Sequence, residues 1–435
     1  MDMNIPANVT RMEPFFQNLI SQEITLQEDE VKLANHRLKN VLLELTERKM
    51  KTIDETFQEL YCQPIFVGSY YENLRVGHPN EFDINLELRL PISNSNIMIE
   101  TSKTEPGFAK IKVNKKFHPH VSQAVINKIE SWLDDGYMCK DKILQWLQGI
   151  VDKVIRNMEW PDDMTVTRSM SGPAVTLNVT YNDKEFSVDF VPVFTFGCDK
   201  WPSQPLRQLR RIPRTFRTDN LKWCVVPKAP RNRTSSTHEW RMSFYTFEVQ
   251  IMKDLGNMKP VIKIMKLLRD KQNWVNLSSY YIKTLFMLEQ ERMKNEPNFW
   301  RRSISYLFMH MLGRLVQCLH EGKIDFFWDH RSNLIAHLRP EEIINMHGAV
   351  KRLRTRLVNA LALTDVDLRE ELERLFTPAI ERSGRTVQLD QEASSADMAQ
   401  SETSSSWLGM AAGIGAIVLA GALIYDFTRR RNNND

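Results

Sequence analysis

Two runs of alternating apolar and polar residues, 174–181 and 185–194, stand on either side of Asn182-Asp183, and no other feature restricts the fold as much. Period-two alternation buries one face of each run, and Asn-Asp is the turn chemistry that folds the second run back on the first. A β-hairpin in mid-chain needs a sheet to receive it. Further strands are predicted at 64–67 and 82–90, where β-branched and leucine residues alternate with polar ones. Before them, Val31, Ala34, Leu38, Val41, Leu42, Leu45, Ile53, Phe57 and Leu60 recur at three- and four-residue spacing. That spacing predicts one long amphipathic helix over 27–60, lying along the body as a spine. A second helical stretch is expected over 121–154.

The chain changes character near Ser243. Apolar residues then return every three or four positions over 244–255, 261–271, 278–293, 299–321 and 340–362, which predicts helix after helix. Gly256 is a natural stop for the first and Pro260 a natural start for the next. Residues 382–406 are rich in Ser, Gln, Glu and Ala and read as a flexible linker. The expectation is an α+β protein: a mixed-sheet core with its spine over 1–240, a helical lobe over 241–380, a linker over 381–406 and an apolar segment at 407–425. A chain of 435 residues suits such a bilobal body better than one small core.

The five cysteines are scattered without a CxxC pair, so neither a disulfide framework nor a zinc ribbon is expected. Residues 1–14 lack a basic stretch followed by an apolar run, and no signal peptide is expected. The net charge of +4 is mild, so affinity for a polyanion must come from local clusters.

The chemistry is concentrated in three places. Gly68-Ser69 follows the 64–67 strand, and Glu81-Phe82-Asp83 comes about a dozen residues later. Alternate residues of a strand share a face, so Glu81 and Asp83 point the same way. Two like charges on one face repel unless solvent or a cation separates them. An isolated pair of this kind is most often a solvated sheet face. Here a third carboxylate, Asp189, sits among apolar neighbours on the second hairpin strand, where burial without a partner is costly. Three hard oxygen ligands on adjacent strands suit Mg²⁺ or Mn²⁺ and in-line displacement at phosphorus. A glycine-serine turn complements them, because its amides and hydroxyl can donate to a phosphate.

Gly68-Ser69-Tyr70-Tyr71-Glu72, Glu81-Phe82-Asp83, Ser187-Val188-Asp189, Trp240-Arg241-Met242-Ser243-Phe244 and Ser278-Ser279-Tyr280-Tyr281-Ile282-Lys283-Thr284 together resemble, in order, the cyclic GMP-AMP synthase-like receptors of animals. The resemblance spans about 32–375. It implies a nucleotidyltransferase core with a helical lobe, joining ATP and GTP, or two copies of one, into a cyclic dinucleotide in innate immune signalling. It implies Ser69 on the donor triphosphate, Glu81, Asp83 and Asp189 on the metal, and Asp189 beside the attacking hydroxyl. Arg241 would face guanine with Ser243 beside it and Glu248 further along. Lys266, Lys283 and Ser279 would meet phosphates, and Tyr280 would stack on a base. Lys266 also fits a solvated helix face, and Tyr280 a core aromatic.

The resemblance further implies a nucleic-acid activator on the opposite face, and a dimer forming on that ligand is compatible with it. Residues 248–266 contain no Cys or His, so the vertebrate zinc insertion is missing and double-stranded RNA is favoured over DNA. Lys39, Arg48, Lys49 and Lys51 on the spine, and Arg207, Arg210, Arg211, Arg214, Arg217, Lys222, Lys228, Arg231 and Arg233, are the basic residues suited to an A-form backbone. Two other readings stay open: a nucleotide-binding adaptor of the same fold without catalysis, and a synthase of linear oligonucleotides.

The uncharged run 407–425, with Trp407 and Tyr425 at its ends, comes close to spanning a hydrocarbon core of about 30 Å. The linker before it offers nothing to pack against. Arg429, Arg430 and Arg431 follow. The expectation is a tail anchor with the rest of the chain facing the cytosol, at the mitochondrial outer membrane ahead of the endoplasmic reticulum.

Overall fold

The computed structural model describes residues 5–25, 43–181, 184–202, 221–230 and 237–376, together with Lys32, Asn35, His36 and Leu38. Its centre is one mixed sheet, of eleven strands among the described residues. These are β1 (Tyr61–Val67), β2 (Glu81–Leu88), β3 (Ile97–Thr101), β4 (Phe108–Val113), β5 (Leu133–Asp134), β6 (Tyr137–Met138), β7 (Met164–Ser171), β8 (Ala174–Tyr181), β9 (Lys184–Phe196), β10 (Trp223–Val226) and β11 (Trp240–Ser243). The expected hairpin is β8–β9, paired from Val175 opposite Phe190 to Tyr181 opposite Lys184. The Asn182-Asp183 turn lies outside the described residues.

β9 is the organising strand. β8 lies along its first part, β10 along its end, and β2 runs parallel on its other side from Glu81 opposite Ser187 to Leu88 opposite Phe194. β1 covers the outer edge of β2 in antiparallel register. Neither β2 nor β9 alternates cleanly between inside and outside. Both central strands are covered on two faces, so the polar residues Asn85 and Glu87 of β2 are buried too. Glu87 is satisfied by Gln63 at 2.8 Å, Lys222 at 3.1 Å and the Thr195 hydroxyl.

The single spine helix expected over 27–60 is corrected. Among the described residues it is a helix Glu44–Ile53, a break, and a second helix Glu55–Leu60. The break is Asp54, extended at φ −137° and ψ 112°, whose carboxylate accepts the Phe57 N–H at 2.8 Å and the Trp146 indole at 3.3 Å. An aspartate three residues before an apolar helical position is an N-cap, and this one stops one helix by starting the next. The helical stretch expected over 121–154 is likewise split, into Gln123–Ser131 and Lys140–Asn157. Asp135 and Gly136 between them both have positive φ, the Asp-Gly geometry of a tight hairpin, and they close β5 on β6.

The second half is helical, as expected: Tyr245–Ile251, Met258–Lys271, Ser279–Arg292, Ile304–His320, Pro340–Ala360 and an additional Asp365–Phe376. A two-stranded ribbon, β12 (Asp325–Phe326) with β13 (Asp329–Asn333), interrupts it. The start of the chain lies with this half, on the far side of the residue-240 boundary drawn from sequence. Glu13 accepts from the backbone N–H of Ile304 at 3.1 Å and of Ser305 at 2.8 Å, while Arg11 donates to the carbonyls of Leu361 and Leu363. These are the free ends of two helices, closed by residues more than 280 positions away. No helix among the described residues is long and apolar enough to cross a membrane, and the run 407–425 lies outside them.

Candidate active site

β1 ends at Val67, and the chain turns through Gly68 into the short helix Gly68–Tyr71. Two constraints meet at Gly68. Its φ of +81° is left-handed, and a Cβ there would lie 1.9 Å from Asp83 Oδ2. The turn is therefore laid directly on the carboxylate that β2 presents. Beneath it, parallel pairing puts Asp83 level with Asp189, and Glu81 level with Ser187. The expected carboxylates therefore share one stretch of the sheet, contributed by neighbouring strands.

Their electrostatics are strained. Burial, then Asp189, then Glu81 push the Asp83 carboxyl from 3.8 up to about 7. Relative to an ordinary aspartate, its ionised form is disfavoured by on the order of 4 kcal/mol. Burial also raises Asp189, and the charge of Glu81 raises it further, against the Thr176 hydroxyl that donates to Asp189 Oδ1 at 2.6 Å. Glu81 is more exposed and pairs with Arg75 at 2.6 Å. Among the described residues no three acidic, histidine or cysteine side chains converge closely enough to hold an ion as they stand. Even so, the donors are oxygens, and the two most buried have their ionised forms destabilised, first by burial and then by a neighbouring carboxylate. This fits a hard divalent cation.

Lys266 is buried rather than solvated, which removes the surface reading of that residue. Its ammonium donates to the Leu74 carbonyl, just beyond the glycine-serine turn, and burial followed by Arg269 and Arg75 lowers it to about 8. One helical turn earlier, Lys263 donates to Asn73 Oδ1 at 2.9 Å. The spacing of Lys263 to Lys266 was the available signal, since residues three apart share a helix face. Ser279 accepts from Arg269, so its hydroxyl is already engaged.

Arg241 on β11 lies between two rings, its guanidinium carbon 5.2 Å from the Phe108 centroid and 4.1 Å from that of Phe326. Gly107 leaves room for it, since a Cβ there would meet Arg241 Nη1 at 2.5 Å. The Gly107 N–H is in turn held by buried Asp329 at 3.1 Å. Ser243, on the same face of β11, stands opposite Cys224 of β10. Tyr280 donates its hydroxyl inward to Glu248 at 2.9 Å and keeps its ring partly exposed, which suits stacking.

Lys283 is placed differently from expectation. It is buried between Glu72 at 2.6 Å and Glu248 at 2.8 Å, and Glu248 also accepts the Trp328 indole at 2.9 Å. Sequence reasoning had no partner for it, and passed over Arg75, Thr176 and Trp328 altogether. Of the basic residues proposed for nucleic acid, Lys51 pairs with Glu47 at 2.8 Å and lies over the Tyr61 ring. Lys222 is committed to Glu87, while Arg48 is exposed and Lys49 half-buried. Lys39, Arg207, Arg210, Arg211, Arg214, Arg217, Arg231 and Arg233 lie outside the described residues.

Residues 70–254 match the Mab-21 protein nucleotidyltransferase domain, and residues 257–352 match the Mab-21 protein HhH/H2TH-like domain. The chain is 30% identical to a cyclic GMP-AMP synthase-like receptor of Aethina tumida, over 79% of this chain and 87% of that one. It is 33% identical to one from Microplitis demolitor, over 77% of this chain and 63% of that longer relative. A cyclic GMP-AMP synthase-like receptor 1 of Drosophila melanogaster is 26% identical over 66% of this chain and 76% of its own.

Proposed function

Given that the chain belongs to the cyclic GMP-AMP synthase-like receptors, with the Mab-21 nucleotidyltransferase domain, we propose that it joins ATP and GTP into a cyclic dinucleotide when a nucleic acid, double-stranded RNA first, is bound. The observation that carries this reading is the in-register pair Asp83 and Asp189 beneath the Gly68 turn, two destabilised carboxylates with a phosphate-binding backbone laid on them. Glu81, Asp83 and Asp189 would hold Mg²⁺ or Mn²⁺, which when bound supplies charge neutralisation at the phosphoryl oxygens.

The chain's own residues do the rest. The Gly68-Ser69 amides and the Ser69 hydroxyl bind the donor triphosphate, and Lys266 reaches it from behind the turn. Asp189, fixed by Thr176, faces the attacking hydroxyl. Arg241, with its plane set by Phe108 and Phe326, offers a fork to the O6/N7 edge of guanine, and Tyr280 stacks on a base. The product serves innate immune signalling from a membrane-anchored enzyme, with 407–425 as the anchor and the mitochondrial outer membrane as its address.

The test is full-length protein with labelled nucleoside triphosphates, Mg²⁺ or Mn²⁺, and a panel of DNA and RNA duplexes, with products identified by mass. A cyclic dinucleotide formed only with duplex is expected. Linear products alone would favour the linear-synthase reading, and nucleotide binding without incorporation would favour the adaptor. Fractionation of cells, with and without residues 407–435, decides the anchor: a full-length chain in the soluble fraction overturns it.

A further inference from the structure

Lys283 lies in the seam between the sheet and the helical half, and its two carboxylate partners come one from each. Glu72 closes the glycine-serine turn, its N–H donating to the Gly68 carbonyl at 3.1 Å, and two residues on the Leu74 N–H donates to the Ser69 carbonyl at 2.7 Å. Glu248 holds the Tyr280 hydroxyl and the Trp328 indole, each at 2.9 Å. Less than a tenth of each of the three charged residues is exposed. One ammonium therefore ties the segment that would face phosphate to the segment that would face a base.

We propose that Lys283 is a positioning residue rather than a phosphate ligand, locking the Gly68-Ser69 turn and Tyr280 in one register so that both ends of a nucleotide meet a single rigid unit. This rests on the reading of the cleft as a nucleotide site. To reach a phosphate, the ammonium would have to abandon two buried carboxylates and leave them facing each other without a counter-charge, and breaking such a pairing is strongly unfavourable. The charges agree: against burial, the two acids hold Lys283 above its ordinary range, and against burial, Lys283 and the two donors hold Glu248 below its own. Lys266 is under no such restraint, because its partner is a neutral carbonyl.

The experiment compares Lys283→Met and Lys266→Met in the full chain, by affinity for ATP and AMP and by amide hydrogen exchange over residues 68–74. For Lys283→Met we expect ATP and AMP to weaken by the same factor, about tenfold, with faster exchange at the 68–74 amides on the other side of the seam. Lys266→Met should weaken ATP far more than AMP. If Lys283→Met weakens ATP selectively and leaves exchange at 68–74 unchanged, Lys283 is a phosphate ligand and the proposal falls. A merely structural role would lower the melting temperature without changing either affinity of the folded protein, and that result also overturns it. Should Lys283→Met not fold, Lys283→Arg keeps the charge but alters its reach and is read in the same way. These readouts need no turnover, so a wild-type chain that makes no product defeats the enzymatic reading while leaving this one to stand or fall on exchange and affinity.

Discussion

The molecule buries acids in two places and treats them in opposite ways. Asp83 and Asp189 sit level on neighbouring strands, and both titrate above their ordinary range. At Glu248, on the helix Tyr245–Ile251, the acid is at least as buried yet titrates below its ordinary range, because Lys283, Trp328 and Tyr280 more than offset the cost of burial. The second cluster brings its own counter-charge and so is finished structure. The first lacks sufficient counter-charge, and a protein that keeps such a deficit has a use for whatever relieves it.

The comparison breaks most sharply at the first cluster. Replacing Glu81 and Asp83 with Ala should reduce nucleotide incorporation by about a thousandfold or more while the fold survives, since removing repelling acids opens no apolar core. An assay of the double variant at wild-type rate would remove the site. Next in size is Glu248→Ala, which removes one of the two carboxylates on Lys283 and strands the Trp328 indole and the Tyr280 hydroxyl. It should cost about 3–5 kcal/mol in denaturant unfolding, and a loss near zero would mean that the cluster is not the self-contained unit described.

The third effect has the opposite sign. Asp83 keeps its proton up to about 7 in the folded protein but releases it near 3.8 when unfolded. In that window the native state binds the extra proton, so metal-free stability falls as pH rises from about 4 to about 7. Asp83→Asn should therefore stabilise the metal-free protein, by about 2 kcal/mol at pH 8 after allowing for relaxation, and should flatten the slope. Glu248 works the other way, contributing stability that is complete above the ordinary carboxylate range and lost as pH falls through its depressed value. Thermal melts of the two variants across pH separate the contributions, and parallel slopes would refute the contrast. Smallest is the spine: Arg48→Ala with Lys49→Ala should change stability by less than about 0.5 kcal/mol. If the spine carries nucleic acid, the same pair of changes lowers the salt dependence of duplex binding, and an unchanged salt slope would clear these residues of that role.

The finished cluster was the harder one to read from sequence. Glu81, Asp83 and Asp189 announced themselves because strand periodicity places side chains without further information, and the hairpin supplied the neighbouring strand. Lys283 stands out in the sequence only as a phosphate contact, because its partners Glu72 and Glu248 are brought to it by the packing of the helical half on the sheet. Local grammar explains the other differences. Asp54 carried an N-cap signature inside a pattern that looked continuously helical, and Asp135-Gly136 carried a turn signature inside another. In both, apolar periodicity outweighed a two-residue signal that the backbone obeyed. Short strands such as β10 and β11 have too few residues for alternation to show, and Gly107 beneath Arg241 gives no hint of its duty until the strand beside it is in place.

The bonds from Glu13 and Arg11 also say something about how the protein is born. Phe16 and Leu19 are buried against helices whose residues follow almost 300 positions later, and Arg11 reaches a carbonyl 350 residues along the chain. A ribosome adding roughly 5–20 residues per second leaves the opening segment without its docking surface for tens of seconds, with Phe16 and Leu19 exposed. The sheet can close early, because β1, β2, β8 and β9 are all in hand by residue 196. The helical half must wait for its own first turns, and they must wait for it. Folding during synthesis therefore finishes at a segment made long before, and a chain stalled after the sheet carries that helix sticky and unshielded, for a chaperone to hold.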